Sequence, residues 1–101
     1  MTISPLTKSL FAGLTPDKFC VGAFARDANG HKVKYNNLTA VKWCDNPTAV
    51  RWCAIGWLLK HDAEDHIRPE LCKLAKSLGY ISIADANDEM GYAFIEAILN
   101  K

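Results

Sequence analysis

Cysteine and histidine side chains could bind a zinc ion, but their spacing in this chain does not favour a zinc site. The chain has four cysteines and three histidines. Zinc sites commonly pair cysteines as Cys-x-x-Cys, and no such pair occurs here. His61 and His66 are five residues apart, which does not place them on one helix face. Cys44 and Cys53 flank a proline turn and could approach each other, so zinc is the lesser alternative; we expect no metal and no cofactor.

A cysteine nucleophile is the second chemistry that the residue types allow. Cys20-Val21-Gly22 is similar to the cysteine turn of cysteine hydrolases, and the candidate bases are the histidines. Such a site needs a histidine beside the thiol and a third group to orient it. We predict that Cys20 lies on the apolar face of a helix, where a buried thiol is inert. Core packing is the expected role of all four cysteines.

Carboxylates cluster at two places, residues 62–65 and residues 85–89. Acidic residues near helix starts are favoured by capping and by the helix dipole, so capping is their expected role. Asn87 and Asp88 are kept as candidate binding residues, because they belong to a sequence phrase that is discussed below.

A six-residue segment that ends in Trp-Cys occurs twice. The first copy is residues 39–44, and the second, nine positions later, is residues 48–53. Nine residues are two and a half helical turns, so one continuous helix would point the two copies to opposite sides. Pro47 also opposes continuity, because it lacks an amide proton and disfavours helical geometry in the residue before it. We predict a break at residues 45–47, with Trp52 and Cys53 in the core.

The first tryptophan of this repeat, Trp43, is the best candidate for a contact with a partner. We expect it to pack over the core edge or to be partly exposed, with Lys42 and Tyr35 near it. Exposed aromatic side chains are common anchors of protein interfaces. The alternative is that Trp43 merely covers the core, as large aromatic side chains usually do.

Capping signals in the first half of the chain predict helices. Ser4-Pro5 predicts the start of one helix, and the Thr-Pro pair at residues 15–16 predicts a second, with residues 19–24 supplying its apolar face. Residues 47–60 predict a central helix, which is apolar on almost every side and is therefore expected to be surrounded by other elements. Gly56 inside it indicates a close approach by another helix or a tryptophan ring.

The second half predicts further helices with short connections. Pro69 predicts the start of one helix, and residues 85–89 hold several caps for the last. Minor extended pieces are expected near residues 31–35 and 80–84, and any β structure is expected to be confined to them. The fold class is therefore all-α, with four to five helices.

Composition bounds the class of protein. The 101 residues suit one domain, residues 1–101, and half of them are hydrophobic. A net charge of +1 gives no electrostatic reason to expect nucleic acid or a membrane surface. No apolar run reaches the roughly 20 residues that a bilayer requires, and no signal peptide is visible. We expect a cytoplasmic location, and homo-oligomers are compatible with these data.

Three phrases occur in an order that resembles a family of short bacterial and phage proteins, a conserved domain of unknown function. They are the FCxGAFARD phrase at residues 19–27, the AVRWCAIG phrase at residues 49–56 and the ANDE phrase at residues 86–89. The resemblance implies an all-helical domain and supplies no reaction, cofactor or substrate.

The expected function is that of a small non-catalytic protein that binds another protein. Because the family-like proteins occur in phage and mobile elements, the resemblance implies an inhibitor or modulator of a host system, such as an anti-defence protein. The partner would then be a host or cellular protein. The alternative function is a small cysteine-dependent enzyme or an enzyme subunit.

Overall fold

Five α-helices and one two-stranded sheet make up the computed structural model over residues 2–33 and 48–101, the part of the chain that the structure describes. The helices are α1 (Pro5–Phe11), α2 (Ala54–Lys60), α3 (Glu64–Ser77), α4 (Ile83–Met90) and α5 (Tyr92–Asn100). The strands are β1 (Ala25–Arg26) and β2 (Arg51–Trp52). The predicted mainly helical fold is confirmed. No helix in these two ranges is long and apolar enough to cross a bilayer.

Helix α1 begins as the sequence predicts. The Ser4 hydroxyl accepts a hydrogen bond from the Thr7 amide at 3.4 Å, and Pro5 stands in the first turn, where no amide proton is needed. Glu70 of α3 accepts hydrogen bonds from the Ser4 amide at 3.2 Å and from the Ser4 hydroxyl at 3.1 Å. The capping residue therefore also ties α1 to α3.

The predicted second helix over residues 19–24 is wrong. Only a 3-10 turn, Pro16–Lys18, follows the Thr-Pro signal. The Cys20 amide donates to the Trp52 carbonyl at 3.1 Å, and the Cys53 amide donates to the Phe24 carbonyl at 3.2 Å. This pairing with a distant segment occupies backbone groups that a helix would have used. Gly22, at a φ of 75°, adopts the left-handed conformation that glycine tolerates.

The predicted central helix is shorter than residues 47–60. Helix α2 begins only at Ala54, because residues 51–52 form β2 and pair antiparallel with β1, which places Ala25 opposite Trp52. Cys53 is the N-cap, and its sulfur accepts a hydrogen bond from the Gly56 amide at 3.3 Å. The predicted burial is observed, since residues 54–59 are all buried. The predicted break at residues 45–47 lies outside the described residues.

The expectation that β structure is confined to residues near 31–35 and 80–84 is wrong, because β1 and β2 form the sheet. The described part of the first piece, residues 31–33, does run beside β1, and the Val33 amide donates to the Ala25 carbonyl at 3.0 Å. The second piece is cut short, because Ile83 is already the first residue of α4.

Two helix starts differ from the prediction. Helix α3 begins at Glu64, so Pro69 lies inside it and removes one hydrogen bond from its ladder. Residues 85–89 lie within α4 and do not cap the last helix. Ser82 caps α4 by accepting a hydrogen bond from the Asp85 amide at 3.2 Å, and Gly91 separates α4 from α5.

Two tryptophan rings, those of Trp52 and Trp57, pack against each other beside α2. Trp52 is 8% exposed and Cys53 is 6% exposed, so the prediction that both belong to the core is confirmed. The Trp52 and Trp57 rings meet edge to face, with centroids 5.5 Å apart. The Trp57 indole N–H donates to the Leu10 carbonyl at 2.9 Å, so its buried polar atom is satisfied.

Helix α2 and the backbone of Phe24 are in direct contact at Gly56. A Cβ atom added to Gly56 would lie 1.8 Å from the Phe24 carbonyl oxygen. The predicted close approach is real, although the residue that precedes β1 makes it and not a helix or a tryptophan ring. Glycine is required here because the neighbouring atoms are backbone and cannot turn away.

We expect Gly56→Ala to lower the free energy of unfolding by about 3 kcal/mol or more, the upper range for overpacking a core. Alanine would otherwise stabilise a helix by about 1 kcal/mol relative to glycine. The matched control is Gly30→Ala, at a φ of 82° with no atom within 4 Å of the new Cβ, which should cost only about 1–2 kcal/mol. Urea denaturation compares the two. A Gly56→Ala variant at least as stable as the control would contradict the steric constraint.

Candidate functional site

The side-chain amide of Asn87 joins three segments of the chain. Asn87 lies on α4 and is 1% exposed. Its Oδ1 accepts a hydrogen bond from the Ala54 amide at 2.9 Å, and its Nδ2 donates to the Cys20 carbonyl at 3.3 Å. Ala54 is the first residue of α2, so its amide has no acceptor within its own helix. A side chain from α4 therefore satisfies a backbone donor of α2 and a backbone acceptor of the 20–24 segment.

Asp88 carries this network to the surface. Its Oδ1 accepts hydrogen bonds from Asn87 Nδ2 at 3.1 Å and from the Gly22 amide at 3.0 Å. The two acceptors, the Cys20 carbonyl and the Asp88 carboxylate, lie on the side of the Asn87 nitrogen. The donor, the Ala54 amide, lies on the side of its oxygen. The hydrogen bonds therefore fix the orientation of the buried amide.

A cavity of about 180 Å³ opens beside this network, and we call it the Asn87 cavity. Its wall consists of Gly22, Ala23, Phe24, Cys53, Ile55, Ala84, Asn87 and Asp88. Most of these residues are apolar, and the charged group among them is the exposed carboxylate of Asp88. Phe24, in the wall, and Val21, next to Gly22, are 38% and 41% exposed. The cavity mouth therefore combines apolar surface with one negative charge.

Arg26 fixes the loop that forms one side of the cavity. Its guanidinium group donates to the Val21 carbonyl from Nε at 3.3 Å and from Nη2 at 3.0 Å. Nη1 donates to the Gly30 carbonyl at 2.8 Å. These bonds to backbone acceptors hold the loop in one conformation. The Arg26 guanidinium lies beside Gly22, and its hydrogen bonds are made to backbone carbonyls.

Two thiols lie beside the same loop, and both are buried, with Cys20 7% exposed and Cys53 6% exposed. Burial raises the pKa of Cys20 to about 11, and the neighbouring Cys53 contributes to that rise. Burial also raises the pKa of Cys53. The Cys20 thiol donates to the Ala23 carbonyl at 3.5 Å. Cys20 lies just before a bend at residues 21–24 and not on the predicted helix face, but it is buried as predicted.

The structure brings together two of the five predicted binding residues. Asn87 and Asp88 both belong to the wall of the cavity. Because the Asn87 amide is consumed inside the protein, Asp88 is the one of the pair that presents a polar atom to solvent. Trp43, Lys42 and Tyr35 lie outside the described residues, so the contact expected of Trp43 stays a prediction.

The other two candidate sites were the carboxylate clusters and a metal site. Ser82, and not a carboxylate, supplies the side-chain cap of α4, while Asp85 stands in its first turn, where the helix dipole favours negative charge. Across residues 2–33 and 48–101, no three histidine, cysteine, aspartate or glutamate side chains are grouped so that they could hold a metal ion.

Sequence reasoning missed the contribution of the 20–24 segment, which supplies Gly22, Ala23 and Phe24 to the wall. Gly56 carried part of the signal, because a glycine in an apolar helix indicates that something approaches closely. The sequence did not indicate that the approaching group is the Phe24 carbonyl.

Comparisons of the chain with protein-family models, with curated proteins and with solved structures found no match.

We expect Asn87→Asp to destabilise the protein by about 2–4 kcal/mol at neutral pH. A carboxylate cannot donate to the Cys20 carbonyl and would lie against Asp88, and a buried unsatisfied group costs about 1–3 kcal/mol. Burial and Asp88 should raise the pKa of the introduced carboxyl in the folded state above the unfolded value of about 3.9. The deficit should therefore shrink as the pH falls towards 4, because the folded state binds the proton more tightly. Thermal unfolding of variant and wild type across this range measures it, and a deficit independent of pH would contradict the assigned hydrogen bonds.

Proposed function

We propose that the protein acts by binding another protein, and that the partner places a lysine or arginine side chain in the Asn87 cavity. The observation that supports this proposal is the pairing of an apolar wall with one exposed carboxylate, that of Asp88, at the mouth. A long basic side chain has the complementary form, because its methylene stem packs on apolar surface while its charged end seeks an anion.

The size of the cavity favours a side chain over a free small molecule. Its volume is about 180 Å³, whereas small-molecule pockets are typically about 300–1,000 Å³. One extended side chain fills a space of this size. The remaining affinity would come from contacts around the mouth, where Phe24 and Val21 are exposed.

The carboxylate charges on α4 favour a cationic partner group, and hydrogen bonds hold the Asp88 carboxylate in place. Its Oδ1 is engaged by the Gly22 amide and by Asn87. Asp85 and Glu89, on the same helix, are exposed as well and add negative charge. Arg26, near Gly22, offsets part of this charge, but its hydrogen bonds run to backbone carbonyls.

The alternative function, a cysteine-dependent enzyme, receives less support. A cysteine nucleophile requires a thiol pKa that is lowered by a neighbouring base or cation. Burial instead raises the pKa of Cys20 to about 11. A raised pKa is typical of a thiol packed in the core. It supports the binding function over an enzyme that uses Cys20 as its nucleophile.

That the partner is a host protein, and that binding inhibits or modulates a host defence system, remains the expectation from the family resemblance. The cytoplasmic location is an expectation of the same kind.

A pair of matched peptides tests the proposal. Acetyl-Gly-Lys-Gly-amide and its norleucine counterpart share the same stem, but only the first carries a charge. We expect the lysine peptide to shift the NMR signals of Gly22, Ala23 and Asp88 and to bind up to about fivefold more tightly than the norleucine peptide, since an exposed ion pair contributes up to about 1 kcal/mol.

The control variants separate Asp88 from the general negative charge of α4. Asp88→Asn keeps a hydrogen-bond acceptor for Gly22 and should abolish the preference for lysine. Asp85→Asn removes the same charge elsewhere on the helix and should keep the preference. Equal binding of the two peptides to the wild type, or shifts that map away from the cavity, would overturn the proposal.

A further inference from the structure

We infer that Cys20 and Cys53 form a redox-modification site, in which a small disulfide oxidises the two thiols to one intramolecular disulfide bond. This inference is independent of the proposed binding function. It rests on the backbone pairing that brings the two cysteines together, although they are distant in the sequence.

The backbone places the two cysteines side by side. Phe19 and Trp52 form a parallel bridge, and the Cys20 amide donates to the Trp52 carbonyl at 3.1 Å. Cys20 follows Phe19 and Cys53 follows Trp52, so the two cysteines are the next residues along the two paired segments. Neighbouring strands lie about 4.8 Å apart, and residues at the same level of a parallel pair project to the same side. The Cα atoms of a disulfide are usually about 4.4–6.8 Å apart, so this placement suits the bond.

Moving the two sulfurs together would break only weak hydrogen bonds. The Cys20 thiol donates a weak hydrogen bond to the Ala23 carbonyl at 3.5 Å, and the Cys53 sulfur accepts one from the Gly56 amide at 3.3 Å. Each sulfur would exchange one weak bond for the covalent bond. Cys53 lies in the wall of the Asn87 cavity, which is wide enough for one cysteine side-chain arm of a small disulfide and so gives that arm a route to the pair.

Oxidised glutathione serves as the small disulfide. The thiolate of one cysteine attacks a glutathione sulfur, forms a mixed disulfide and releases one glutathione thiolate. The thiolate of the second cysteine then attacks the protein sulfur of the mixed disulfide and releases the second glutathione. The protein loses two electrons and two protons. The oxidised glutathione gains them and is reduced to two glutathione thiols. Because burial raises the pKa of both cysteines, the reaction is best followed at mildly alkaline pH.

The experiment incubates the full-length wild-type protein with oxidised glutathione at pH 8.5, quenches with acid and maps the cysteines by non-reducing digestion and mass spectrometry. We expect a Cys20–Cys53 linked peptide, with the loss of two hydrogens from the intact mass and recovery of the thiols on addition of dithiothreitol. Cys53→Ser should fold, because serine also caps helices, and should yield no linked peptide from Cys20.

Other results would overturn the inference. They are a preferred linkage of Cys20 or Cys53 to Cys44 or Cys72, or separate glutathione adducts on Cys20 and Cys53 that never resolve into a link. The same holds if both thiols stay unmodified while the half-buried Cys72 reacts.

Discussion

One buried amide joins three segments of this protein that are distant in the sequence. The Asn87 side chain satisfies the first amide of α2 and the carbonyl of Cys20, two backbone groups that are buried in the interior. An unpaired buried backbone group costs free energy comparable to a lost hydrogen bond. Removing the Asn87 amide would leave both of these backbone groups unpaired and would therefore lower the stability of the fold. Helix α4, β2 with α2, and the 20–24 segment therefore meet at one residue, and the position of each depends on the other two.

The cavity is a consequence of this meeting point. Gly56 lets the Phe24 carbonyl rest on α2, while Asn87 and Asp88 hold the preceding loop from the other side. A loop fixed at both edges cannot collapse onto the helix, and space remains between them. The sequence phrases at residues 19–27, 49–56 and 86–89 supply Cys20, Cys53, Asn87 and Asp88 to this region.

Local signals predicted the parts of the fold that local interactions determine. The Ser4-Pro5 start of α1 was predictable because the cap and the proline act within one turn. The burial of α2 followed from its all-round apolar sequence. In contrast, residues 19–24 and 50–53 carry helical patterns but form no helix, because hydrogen bonds between these two distant segments outweigh weak helix propensity. Asn87 had the pattern of a capping or surface residue, and its burial depends on two partners, Cys20 and Ala54, that only the tertiary structure brings near it.

Native-state hydrogen exchange of the Ala54 amide, followed by NMR, tests most directly whether Asn87 holds the structure together. The amide stands at the start of a helix, where backbone donors normally have no intrahelical acceptor and exchange readily. If the Asn87 oxygen binds it as described, its exchange should require global unfolding and be within about tenfold of the slowest core amides. Exchange at the rate of an exposed loop amide would show that the link between α4 and α2 is not formed in solution, and would contradict the account.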